Sequence, residues 1–131
     1  MNKKEKVQIE KILQKAKKDK RIIAVLLFGS CSREEYHNDI DICLVLDKKY
    51  SNREMFNIRL EFLKGMNDKF DIQVFQQLPL YIRINILKEG KPLLCKNQDL
   101  LYELAFATIK EFGFYKGRYD YYINSVLKNE K

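Results

Sequence analysis

Hydrophobic positions along this chain change their period several times, and each change marks an element. Apolar residues at Val7, Ile9, Ile12, Leu13 and Ala16 lie among lysines, and from Ile9 onward their spacing is helical. Arg21 to Phe28 is a continuous β-rich run closed by Gly29-Ser30, the pattern of a strand buried on both faces. Ser30 to Arg33 has the makings of a short helix start with Ser30 as its cap. Asp39 to Leu46 predicts a second strand. Asn52 to Met66 predicts a helix with Met55, Ile58, Leu60, Phe62 and Leu63 on its apolar face, ended at Gly65 and Asn67. Phe70 to Phe75 reads as a third strand. Leu78-Pro79 leads into a helix over Leu80 to Leu87, stopped by Gly90. Pro92 to Cys95 fits a short edge strand, where proline is tolerated. Leu100 to Lys128 reads as helix with a break near Gly113 and Gly117. Strands alternating with helices imply an α/β fold: a small mixed sheet flanked by helices, with a helical C-terminal segment. The expected organisation is one domain over residues 1–131.

Composition narrows the function classes. With 46% hydrophobic and 33% charged residues, the chain is a folded one, not a disordered one. The net charge of +7 favours anionic partners such as nucleotides, nucleic acid or an acidic protein face. Many of the lysines lie along the first helix, where solvation alone accounts for them. Three cysteines without C-x-x-C spacing exclude a disulfide framework and a zinc knuckle, and Cys43 sits inside an apolar run as a core residue. A charged N-terminus without a signal-peptide core, and no apolar run of bilayer length, lead to the expectation of a cytoplasmic protein that does not enter membranes.

The segment that carries chemistry runs from Leu27 to Asp41. A hydrophobic strand ends at Gly29-Ser30, and after a gap of eight residues a second strand opens with Asp39-Ile40-Asp41. Alternate residues of a strand share a face, so Asp39 and Asp41 project together. Two such carboxylates repel each other unless a cation lies between them, and magnesium, with its preference for hard oxygen ligands and phosphates, suits the place. Asp71 opens the third strand; if that strand adjoins the second, its carboxylate joins the metal site or accepts a proton. Gly29 lets backbone approach a phosphate, Ser30 adds a donor, and Arg33 offers a neutralising charge. Each feature alone is ordinary: Gly-Ser is most often a turn, D-x-D surface charge, a strand-opening Asp a polar start. Their co-occurrence in this order turns the balance toward a site.

These residues resemble the signature of the DNA polymerase β-like nucleotidyltransferases, and within them the minimal nucleotidyltransferases of bacteria and archaea. Gly29, Ser30, Arg33, Asp39, Ile40 and Asp41 fit its G-S…D-x-D pattern, Asp71 falls where the third carboxylate is expected, and the similarity covers about Arg21 to Phe75. The spacer is two residues shorter than usual, and Glu34 stands where a glycine normally follows the arginine. The resemblance implies a nucleotidyltransferase fold and a magnesium-dependent transfer, with two ions held by Asp39, Asp41 and Asp71, and Gly29, Ser30 and Arg33 on the nucleotide. It further implies a protein adenylyltransferase antitoxin that moves AMP from ATP to a tyrosine of a HEPN-domain ribonuclease toxin. The alternative is a weak or inactive member that neutralises such a toxin by stoichiometric binding, to which the short spacer and Glu34 lend support. Direct nucleic-acid binding ranks below both. No helix-turn-helix, RNA-recognition or zinc-finger signature is present, and the aromatic and basic residues around Phe114, Tyr115, Lys116 and Arg118 have helical spacing.

Overall fold

Asn2 begins the first helix, α1 (Lys3–Lys18), where its side-chain oxygen accepts from the Glu5 amide at 2.8 Å and satisfies one of the open N-terminal donors. The computed structural model describes residues 2–29 and 39–129. After α1 come strands β1 (Ile22–Phe28) and β2 (Ile40–Leu46), helix α2 (Asn52–Leu63) and strand β3 (Phe70–Val74). A 3-10 turn (Phe75–Gln77), helix α3 (Leu80–Glu89), strand β4 (Lys91–Cys95) and helix α4 (Gln98–Asn129) follow. Ser51 caps α2 by accepting from the Glu54 amide at 3.1 Å.

The four strands lie in the order β3-β2-β1-β4. β1 runs antiparallel to both β2 and β4, while β2 and β3 are parallel and joined through α2. The sheet is therefore mixed, as expected, and Pro92 lies on an edge strand. Each sheet face has its own core. On one face Ile40, Ile42, Leu44 and Ile72 pack with Ile12 of α1 and Met55, Ile58 and Phe62 of α2. On the other, Leu26, Cys43 and Val45 pack with Phe75, with Ile86 of α3 and, at the margin, with Leu100 and Leu104 of α4. Alternation in β1 slips at Ile23 and Ala24, which face the same side, and the pairing with β2 shifts register there, the mark of a bulge. Cys43 is fully buried, and desolvation pushes its thiol far above its ordinary pKa, so it acts as a core residue.

The sheet continues past β3 through a side chain. The Gln76 carboxamide accepts from the Leu46 amide at 3.1 Å and donates to the Leu46 carbonyl at 2.8 Å, which completes the end of β2.

Several boundaries differ from the sequence reading. β3 stops at Val74, and Phe75 enters the turn. Leu60 and Val7 face solvent. The C-terminal segment is one unbroken helix, since Gly113 and Gly117 both lie within α4. A Cβ at either glycine would meet nothing within 4 Å, so neither marks a close approach or a turn. Glycine costs a helix interior about 1 kcal/mol relative to alanine, too little to stop a helix already propagating from the stronger formers between Leu100 and Glu111.

Candidate active site

The parallel register of β2 and β3 sets Asp41 directly opposite Asp71. Paired residues in neighbouring strands point to the same face. That face is the one covered by α3 and α4, because Cys43, two residues beyond Asp41, belongs to its core. The two aspartates thus occupy the open end of this face, where the apolar cover stops. Asp39 lies immediately before β2 and is exposed.

On its other side Asp41 is paired with Phe28 of β1, and Gly29 follows. Gly29 has φ +77°, the left-handed region that disfavours other residues. A Cβ at this position would run into Asp41 Oδ2. The backbone sign therefore calls for glycine here, and a side chain in its place would push the Asp41 carboxylate aside.

The electrostatics show that the three acids share one locality. Burial, followed by the charge of Asp71 and then that of Asp39, holds the Asp41 carboxyl above its ordinary pKa. Asp71 has different surroundings. Both of its oxygens accept from Gln73 Nε2 at 3.1 Å, and the Arg59 guanidinium stands 3.6 Å from Oδ1. Arg59 is itself held by donating Nε–H to the Ile72 carbonyl. Sequence reasoning missed both partners. Gln73 was within reach of it, being two residues from Asp71 and so on the same strand face. Arg59 gave no signal, since only the packing of α2 on β3 brings it there.

Of the predicted site residues, the structure sets Gly29 and Asp71 directly beside Asp41, with Asp39 near enough for its charge to act on Asp41. Ser30 and Arg33, and the short helix expected after Gly29, lie outside the described residues. Among the described residues no three histidine, cysteine or acidic side chains stand as a preformed metal-ligating set; the Asp71 oxygens are engaged by Gln73 and Arg59 instead. The donor chemistry nevertheless fits magnesium. The oxygens are hard, and both the burial and the neighbouring charges that raise the Asp41 pKa would be offset by a divalent cation at the carboxylate.

Comparison with known proteins gives the same outline. A family model described as polymerase beta, nucleotidyltransferase matches residues 10–99. A protein of Methanocaldococcus jannaschii, named as a candidate protein adenylyltransferase, is 40% identical over 74 residues, which make up 54% of this chain and 54% of that protein. The match therefore spans about half the length of this relative. A solved structure of a tri-AMPylated Shewanella oneidensis HEPN toxin in complex with MNT antitoxin contains a chain similar to this one. Its TM-score is 0.64 at 19% identity, with 92% of this chain and 93% of that chain covered. A toxin–antitoxin structure with AMP-PNP gives a TM-score of 0.67 at 20% identity, with 92% and 96% covered. At such identities the likeness is one of fold.

Proposed function

The chain belongs to the polymerase β nucleotidyltransferase family, and from that premise we propose that it is a magnesium-dependent protein adenylyltransferase acting as an antitoxin. In this reading it transfers AMP from ATP to a tyrosine of a HEPN-domain ribonuclease in the cytoplasm. The observation that carries the reading is the register of Asp41 on Asp71 with Gly29 pressed against Asp41. The relative's name supports protein adenylylation, and the AMP-PNP and HEPN complexes of the fold relatives support the nucleotide and the partner. No helix among the described residues is long and apolar enough to cross a membrane.

Asp39, Asp41 and Asp71 would hold the magnesium ions. The metal, when bound, supplies positive charge to the phosphates and to the oxygens that attack and leave. The rest falls to the chain. Gly29 lets the backbone lie directly against the Asp41 carboxylate, and Ser30 and Arg33 are assigned to the triphosphate. The acceptor hydroxyl oxygen forms a bond to the α-phosphorus, the bond from that phosphorus to the bridging oxygen breaks, and pyrophosphate leaves. Asp71, half-exposed on an edge strand, is assigned the proton of the hydroxyl. Catalysis of this kind is positioning and charge neutralisation.

The test is transfer of label from α-labelled ATP to a co-purified HEPN-domain ribonuclease. Asp41→Asn is expected to abolish transfer while the protein stays folded; transfer at the parent's rate would remove the mechanism. A second reading, neutralisation by binding alone, draws on the exposed apolar residues of α4, among them Phe106, Ile109, Phe114, Tyr115 and Tyr121. It predicts toxin neutralisation that survives Asp41→Asn.

A further inference from the structure

Next to Gly29, between the end of β1 and α3, lies a cleft of about 210 Å³ lined by Phe28, Gly29, Ile82, Asn85, Ile86 and Glu89. We propose that this cleft is the nucleoside subsite of the nucleotidyl donor and that it takes an adenine ring, with Asn85 reading the edge of the base. The proposal rests on the nucleotidyltransferase reading and adds to it the part of the donor that the carboxylates do not touch.

Position is the first argument. Gly29 belongs to the cleft and also abuts Asp41, so a nucleotide whose phosphates lie beside Asp41 has its nucleoside within one residue's reach of this space. Two other clefts, one at Leu80, Tyr81, Phe112 and Tyr115 and one running from Lys49 to Glu111, contain neither Gly29 nor any of the three aspartates. Chemistry is the second argument. Ile82, Asn85, Ile86 and Glu89 follow the i, i+3, i+4, i+7 spacing and form one stripe of α3. The stripe sets two isoleucines against the Phe28 ring, which gives a flat heterocycle apolar walls, and places one carboxamide among them. Glu89 brings a carboxylate to the cleft, which suits ribose hydroxyls or a base amine and repels phosphate. Size is the third argument. The volume is below the ~300–1,000 Å³ of sites for drug-sized ligands and fits a single base.

A carboxamide offers a donor and an acceptor side by side. That pair matches N6 and N7 of adenine, whereas the same edge of guanine shows two acceptors. Asn85 is exposed on the surface of α3, so its side chain can be replaced without opening the core.

The experiment measures binding of ATP, GTP and inorganic tripolyphosphate, each with magnesium, to the full chain and to two variants. Asn85→Trp fills the cleft. It is expected to weaken ATP by about ten-fold or more and to leave tripolyphosphate within about two-fold. Asn85→Ala is expected to lower the ATP-over-GTP preference by about ten-fold. If the parent binds ATP and Asn85→Trp binds it equally well, the cleft is not the subsite, while the nucleotidyltransferase reading stands. Parallel loss of ATP and tripolyphosphate in Asn85→Trp also overturns the proposal, because the displaced group would then not be the base. An unchanged base preference in Asn85→Ala removes Asn85 from recognition. If the parent binds neither ATP nor tripolyphosphate, the nucleotidyltransferase reading fails and takes the subsite with it.

Discussion

Gly29 and Gly65 form a matched pair of perturbations, because they share a backbone conformation and differ in surroundings. Their φ values are +77° and +79°. An alanine at either position is forced into the left-handed region, at roughly 1–2 kcal/mol, partly offset by the reduced freedom of the unfolded chain, about 0.4–1 kcal/mol. The net cost is about 1 kcal/mol, a fall of about 3–5 °C in melting temperature for a domain of this size. At Gly65 nothing lies within 4 Å of the added Cβ, so Gly65→Ala should show that loss and nothing more. At Gly29 the Cβ meets Asp41 Oδ2, so either the carboxylate or the backbone must move. Displacing a reacting group by about 1 Å can cost about 100-fold in rate. A carboxylate at a side-chain end swings aside at little cost in stability, so Gly29→Ala is expected to melt much as Gly65→Ala does and to lose about 100-fold or more in AMP transfer. Thermal melts of both variants, with transfer from labelled ATP measured in parallel, decide the matter. If Gly29→Ala keeps transfer within about two-fold of the parent, the close approach of Gly29 to Asp41 has no functional consequence.

The Asp41 pKa is raised on folding, so its contribution to stability is full below the unfolded carboxylate pKa and is lost as pH rises through the folded value. In metal-free buffer Asp41→Asn should accordingly melt above the parent near pH 7, with the gap closing as pH falls through the carboxylate range. Added magnesium should raise the melting temperature of the parent and leave that of the variant nearly unmoved. Gln76→Ala strips partners from both the amide and the carbonyl of Leu46 and should cost about 1–3 kcal/mol in denaturant unfolding, with little effect on nucleotide binding. Gly113→Ala and Gly117→Ala add a Cβ into open space inside α4 and should each stabilise by up to about 1 kcal/mol, seen as higher helicity in circular dichroism and a higher melting temperature.

Which parts of this architecture were legible in the sequence depends on how far along the chain the causes lie. The strands were legible because their causes are local: Ile40, Ile42 and Leu44 alternate with Asp41, Cys43 and Val45, and the alternation alone states which residues share a face. α4 runs on through its glycines because a local penalty at Gly113 and Gly117 is outweighed by the helix already formed from Leu100 to Glu111, which no short window around the glycines contains. Arg59 was invisible, since its role exists only once α2 lies on β3 and its guanidinium reaches the Ile72 carbonyl and Asp71. The meeting of the acids stands between these cases. Asp41 and Asp71 could be seen to open strands, but whether they meet turns on parity in the β2–β3 register. A slip of one residue would set Asp71 opposite Ile40 or Ile42 and turn its side chain into the face packed by α1 and α2. Ile40, Ile42, Leu44 and Ile72, all fully buried, forbid that slip, because it would expose the β3 isoleucine and bury a carboxylate. The apolar half of these strands thus sets the spacing of the acidic half: the same alternation that fills the core delivers two mutually repelling carboxylates to one rim.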